Sequence, residues 1–124
     1  MITRIRLASV AVRDTDAAID FYVNTLGFEV RADERFGPEF RWVEVAPKGA
    51  ETGFTLVNPA WGDGFTPGVN TGIVLTAPDI DQTYADLSAR GVVFTEPPAL
   101  QPWGVKQAQF QDLDGNGFVL VDRE

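Results

Sequence analysis

Histidine and cysteine are both absent from the 124 residues of this chain. Without imidazole, the sequence argues against a histidine-ligated metal centre and against nucleophiles activated as Ser-His or Cys-His pairs. Without thiols there is no disulfide framework, which is compatible with a reducing cytoplasm. Long apolar runs are missing too. No stretch approaches the roughly 20 residues that a membrane helix needs. The opening Met1-Ile2-Thr3-Arg4-Ile5-Arg6 leads into alternation rather than an apolar signal core, so the expectation is a complete, cytoplasmic protein with no membrane partner. Positive charge is scarce: ten Lys and Arg against eighteen Asp and Glu leave a formal charge of −8. That balance disfavours nucleic acid and anionic membrane and attracts cationic ligands at long range, although it is also what an ordinary soluble surface requires.

What the chain does have is a hydrophobic content of 44%, enough for the core of one folded domain. Period-2 alternation predicts a strand from Ile2 to Val12. Asp14 and Thr15 are capping types ahead of a helical face made by Ala18, Phe21, Tyr22 and Leu26, with Gly27 at the end, so a helix is expected from about Thr15 to Leu26. Strands are expected at Phe28 to Ala32, Arg41 to Val45 and Gly53 to Val57, the last two joined by Pro47-Lys48-Gly49-Ala50. After the Gly- and Pro-rich stretch from Asn58 to Asn70 the same order returns. A strand is expected at Gly72 to Thr76 and a helix at Ile80 to Arg90, capped by Asp79 and closed by Gly91. Strands then follow at Val92 to Glu96, Lys106 to Gln111 and Gly117 to Val121.

The repetition holds residue by residue. Asp14-Thr15-Asp16 matches Asp79-Ile80-Asp81, Leu26-Gly27 matches Arg90-Gly91, and Gly53-Phe54-Thr55-Leu56-Val57 matches Gly117-Phe118-Val119-Leu120-Val121. A spacing of about 64 residues present in duplicate is too long for a solenoid and points to a pseudo-twofold domain. The expected fold is therefore α+β: two tandem βαβββ modules, about 1–57 and 71–122 with a linker at 58–70, forming a curled mixed sheet around a cup.

With these elements in place, the chain resembles the vicinal oxygen chelate superfamily, which unites glyoxalases, bleomycin-resistance proteins and dioxygenases. The resemblance is carried by Val12-Arg13-Asp14, Ala18-Ile19-Asp20-Phe21-Tyr22 and Leu26-Gly27-Phe28 in the first module. In the second it is carried by Arg90-Gly91-Val92 and Asp112-Leu113-Asp114-Gly115-Asn116. It implies paired modules, usually a homodimer, with a ligand or a divalent metal in the cup. Metal enzymes of the family place His or Gln early and Glu late in each module. The matching positions here are Leu7 and Gly72, then Thr55 and Val119. Leucine, glycine and valine offer no donor atom, so no metal and no other cofactor is expected. Asp112 to Asn116 has a calcium-loop flavour, but the twelfth position is Arg123 and the flanking elements are strands. A hairpin turn is expected instead, with Asp-Gly-Asn supplying positive φ angles.

Strand parity sends Leu7, Thr55, Gly72 and Val119 to the cup and Phe54, Leu56, Ile73, Leu75, Phe118 and Leu120 to the core. The cup should then be mainly apolar, with polar groups from Ser9 and Thr76. Alternation does not settle the facing of Trp42, Glu44, Gln107 and Gln109. Trp42 fits core packing and a ligand wall equally. Trp61, Phe65 and Trp103 stand on Gly- and Pro-flanked loops, where an aromatic side chain serves either as a rim for a planar ligand or as a plug at an interface. Two functions follow. One is a metal-free protein that sequesters an aromatic or cationic small molecule, as the antibiotic-binding members that Gln101-Pro102-Trp103-Gly104 resembles do. The alternative is a metal-independent enzyme, an isomerase or lyase, in which a buried carboxylate such as Glu44 or Asp33 acts as general base. A metal-dependent lyase or dioxygenase ranks third.

Overall fold

The computed structural model describes residues 1–61 and 64–123; Gly62 and Asp63, in the expected linker, and Glu124 lie outside the described residues. The chain divides into two compact units, Met1–Pro67 and Gly68–Glu124. The first contains β1 (Leu7–Ala11), α1 (Thr15–Asp20), β2 (Glu29–Arg35), β3 (Arg41–Ala46) and β4 (Gly53–Val57). The second contains β5 (Asn70–Thr76), α2 (Ile80–Ala89), β6 (Val93–Leu100), β7 (Lys106–Gln111) and β8 (Gly117–Val121). Each unit holds one open, mixed, four-stranded sheet, in the orders β1-β4-β3-β2 and β5-β8-β7-β6. Within each, the first strand lies parallel to the last and the remaining pairs are antiparallel. The repeat in sequence is thus a repeat in topology.

The first sheet buries one face against α1 and its continuation. Asp14 caps α1, its carboxylate accepting from the Ala17 amide at 3.1 Å. The expected helix over Thr15 to Leu26 is α-helical only to Asp20 and continues as a π-helix from Phe21 to Thr25. The wider turn shows in the Leu26 amide, which donates to the Phe21 carbonyl at 3.0 Å. It presents two consecutive large residues to the sheet, so Phe21 and Tyr22 are both buried. Tyr22 meets Phe54 edge-on, with ring centroids 5.9 Å apart, and Phe28 leans on both. Val10, Val43, Val45 and Leu56 complete this core. In the second unit the equivalent layer runs Tyr84, Phe94, Phe110 and Phe118, beneath Ile80 and Leu87 of α2.

β4 is an inner strand of the first sheet and is buried along its whole length. Its first residue must be glycine for steric reasons. A Cβ at Gly53 would stand 2.7 Å from the Val45 carbonyl oxygen and 2.9 Å from the Ala46 methyl. Its counterpart Gly117 would meet only ordinary contacts, the nearest at 3.6 Å.

Four expectations need correction. The first strand begins at Leu7, not Ile2: residues 2–6 lie outside it, and Ile2 and Ile5 are exposed, so alternation alone overstated the pairing. β6 runs to Leu100 through Pro97 and Pro98, which their lack of an amide proton would forbid in a central strand. Its position at the sheet edge, with register shifts between Phe94 and Ala99, permits it. Ile73 and Leu75 are half-buried, not core residues, whereas Phe54, Leu56, Phe118 and Leu120 are buried as expected. Finally, the Asp112 to Asn116 turn has positive φ only at Gly115. It is held instead by side chains. Asp112 accepts from the amides of Asp114 and Asn116, both at 2.9 Å, and from the Asn116 side-chain amide at 2.9 Å. The Asn116 side-chain oxygen Oδ1 in turn accepts from the Gly68 amide at 2.8 Å.

Candidate functional site

With the core on one face of each sheet, parity sends the remaining side chains to the other. In the first sheet that face carries Leu7 and Ser9 from β1, Thr55 from β4, and Trp42 and Glu44 from β3. Register places Ser9 opposite Thr55 and Thr55 opposite Glu44, so three polar side chains stand in a row across the strands. The structure thereby fixes the facing of Trp42 and Glu44, which alternation left open. Trp42 is half-buried and Glu44 is only 9% exposed.

Glu44 is the organising group. Its Oε2 accepts from the indole Nε1 of Trp42 at 2.7 Å and from the Arg6 guanidinium at 3.3 Å. The indole is two residues away on the same strand, so this bond fixes the plane of the ring against the sheet. Beside it, Thr55 is 4% exposed and its Oγ1 has no hydrogen-bond partner among the described residues. A buried hydroxyl without a partner carries a desolvation cost of about 1–3 kcal/mol. A ligand that hydrogen-bonds it would recover that cost.

In the second sheet, Ala108 and Phe110 are buried, and Gln107, Gln109 and Gln111 project from the other face of β7, opposite Val121, Val119 and Gly117 of β8. Gln109 donates to Glu96 at 3.3 Å. Gly72 is exposed, with φ 70°, beside the irregular pairing of β5. Neither sheet face is the mainly apolar wall expected from Leu7, Gly72 and Val119. Ser9, Thr55, Glu44 and the glutamines make each distinctly polar, because Glu44 of β3 and Gln107 and Gln109 of β7 share the face turned away from the core.

The loop aromatics are placed separately. Trp61 ends a short 3-10 turn, Pro59–Trp61, and packs on Phe40 at 5.0 Å, with Phe36 beyond at 6.1 Å from Phe40. Phe40 and Trp61 border a depression of about 170 Å³, shared with Asp14, Asp16, Arg35 and Arg41. Phe65 is exposed, and Trp103 is 65% exposed on the β6–β7 turn. Asp33 is no candidate base. The Arg41 guanidinium grips its carboxylate at 2.8 Å through Nε and Nη2 and holds its pKa below the usual value. Hydrogen bonds to Asp33 and then Asp16 raise the pKa of Arg41 in return.

Sequence reasoning missed Arg6, which reaches Glu44, and the Phe36–Phe40–Trp61 cluster. Two arginines spaced by one residue ahead of β1, in so acidic a chain, were the available signal for the former.

The match to known proteins is extensive. The family model described as "Glyoxalase/Bleomycin resistance protein/Dioxygenase superfamily" matches residues 4–120. The chain belongs to this superfamily. Among its members, a solved structure from Sphaerobacter thermophilus DSM 20745 superposes with a TM-score of 0.91 at 48% identity, covering 97% of both chains. TnmS3 from Streptomyces sp. CB03234, described as an antibiotic binding protein, superposes with a TM-score of 0.84 at 42% identity, covering 97% of this chain and 95% of its own. The uncharacterized Bacillus subtilis (strain 168) protein YetH is 39% identical over 98% of this chain and 100% of its own.

The superfamily's metal does not fit the residues present. Leu7, Gly72 and Val119 lack donor atoms, and Thr55 offers only a hydroxyl. Glu44, the nearest carboxylate across the strands from Thr55, already faces a guanidinium, which would repel a divalent cation. Among the described residues no group of three or more His, Cys, Asp or Glu is arranged to hold a metal ion. No helix among them is long and apolar enough to cross a membrane.

Proposed function

We propose that the protein is a metal-free binding protein that sequesters an aromatic small molecule, with no bond made or broken. The observation that carries this reading is the pairing, on one sheet face, of an indole clamped by Glu44 with the unpartnered hydroxyl of Thr55. The indole offers a fixed surface for stacking, and the hydroxyl offers one hydrogen bond that fixes orientation. Glu44 serves as the anchor of the ring, since Trp42 and Arg6 both donate to the same oxygen. The antibiotic-binding description of TnmS3, at 42% identity, supports a small-molecule ligand. Ligand contacts are assigned to Leu7, Ser9, Trp42, Glu44 and Thr55 of the first sheet. Gly72, Gln107, Gln109 and Val119 of the second contribute likewise, and Trp61, Phe65 and Trp103 act as rims. The charge of −8 favours a cationic ligand at long range. The reading includes a cytoplasmic location and a homodimer, the latter tested by light scattering on the purified protein.

The test is a titration of tryptophan fluorescence with cationic proflavine, neutral acridone and a panel of aromatic antibiotics, alongside thermal shift with and without divalent metals. Saturable quenching, accompanied by stabilisation that grows as RT ln(1 + [L]/Kd), supports sequestration. Stabilisation by manganese, nickel or zinc that a chelator reverses would overturn the metal-free claim. Turnover of a bound compound that is lost in Glu44→Gln while binding is kept would replace sequestration by general-base catalysis.

A further inference from the structure

We propose that the depression at the start of β1, bordered by Arg4, Arg6 and Arg31, is a subsite for the oxyanion of a small molecule, a carboxylate or a phosphate. It shares Leu7 and Glu44 with the proposed ligand face, but its donors are guanidiniums at the sheet's end and not the indole or the hydroxyl, so the two readings are tested separately.

The chain has ten cationic side chains against eighteen acidic ones, and three of the ten border this single depression of about 250 Å³. A concentration of guanidiniums against so acidic a background calls for a local anion. Glu44 supplies one, but its Oε2 is shared with the indole of Trp42 at 2.7 Å. Arg6 approaches its two oxygens only at 3.3 and 3.4 Å, longer than the roughly 2.7–2.9 Å of a strong charge-assisted bond. The Arg6 side chain is also 62% exposed, so it can turn donors towards a ligand.

Arg31 is held in place. Its Nε donates to Glu29 at 3.2 Å and its Nη2 to the Pro47 carbonyl at 3.1 Å, which orients the fork. The Arg4 guanidinium has no ion pair or hydrogen bond with any described residue. Arg41 shows the contrast. Asp33 occupies its Nε and Nη2 at 2.8 Å and Asp16 its Nη1 at 2.7 Å, leaving little for a ligand. The planar fork of arginine matches the paired oxygens of a carboxylate or phosphate, so unspent guanidiniums around one cavity select that chemistry. Glu51 also borders the depression, without an ion pair among the described residues, and opposes an anion there.

Isothermal titration of the whole protein at low salt with inorganic phosphate, and separately with benzoate, tests the proposal. At least one of the two should bind saturably, and the stronger of them names the oxyanion. Arg4→Gln and Arg31→Gln should each weaken that binding about fivefold, and Glu51→Gln should tighten it about threefold. Arg35→Gln, on the depression beside Phe40 and Trp61, should leave it unchanged. Arg4 holds no other group, so its variant reports on binding even where Arg31→Gln unfolds. The proposal is overturned if neither anion binds, if Arg35→Gln weakens binding as much as Arg4→Gln, or if Glu51→Gln leaves it unchanged. Acridone quenching of tryptophan, measured on the same samples, separates the two readings: loss of anion binding with quenching intact removes this subsite and leaves sequestration standing.

Discussion

Replacing Thr55 by valine keeps the branched shape, suits a strand, and deletes the hydroxyl that has no partner. Burial without a hydrogen bond costs about 1–3 kcal/mol, and no native bond is lost in exchange, so the free protein should gain about 1 kcal/mol. For a chain of this size that corresponds to a rise in Tm of about 4 °C. The same change removes the group assigned to orient the ligand. A hydrogen bond worth about 1 kcal/mol makes binding about fivefold weaker. Stability and affinity should thus move in opposite directions. Calorimetric unfolding gives the first quantity and tryptophan quenching by a bound aromatic compound the second. Thr55→Ser, which keeps the hydroxyl and loses a buried methyl, should show no stability gain. A Thr55→Val protein less stable than the native one refutes the reasoning, because the hydroxyl would then have a partner in solution.

Other expectations follow from geometry. Gly53→Ala should cost about 1–3 kcal/mol, because its Cβ would meet the Val45 carbonyl oxygen at 2.7 Å, whereas Gly117→Ala should be close to neutral; urea denaturation of both variants checks the asymmetry. Asn116→Ala removes the side-chain amide that donates to Oδ2 of the buried Asp112 and the side-chain oxygen that accepts from the Gly68 amide, and should cost about 2–4 kcal/mol in the same assay. Asp33 has a folded pKa below its unfolded value, so its contribution is present above about pH 4 and is lost as pH falls through the lower folded value. Asp33→Asn should therefore reduce the difference in Tm between pH 6 and pH 2.5, and an unchanged difference would discard the Arg41 pair as a source of acid sensitivity.

The repeat made the fold legible. Matching caps at Asp14 and Asp79 and matching Gly-Phe-x-Leu-Val strands are local signals, and β4, β7 and β8 fall where the pattern puts them. Elements that depend on non-local context were less legible. Whether Ile2 to Arg6 pair with a neighbour, or whether a strand tolerates Pro97 and Pro98, is decided by sheet order and not by residue type. The π-helical turn at Phe21 is hidden for a similar reason: it is the sheet beneath that makes two adjacent aromatics worth burying. At the candidate site, parity sets Thr55 apart from its neighbours Phe54 and Leu56, which are plainly core. It left Trp42 and Glu44 open, since the two share one parity and a strand tryptophan suits the core as well as the opposite face. The bond from indole to carboxylate, and the reach of Arg6 to the same oxygen, exist only once three strands are aligned.

The two prolines in β6 have a consequence beyond the strand itself. A sheet edge normally offers an incoming chain a ladder of amide protons, and here Pro97 and Pro98 carry none, within a stretch of shifted register. An unfolded or partly folded neighbour that tried to extend the sheet there would meet an interrupted ladder. Two residues without an amide proton thus disfavour templated pairing at that edge of the second unit without adding any charge.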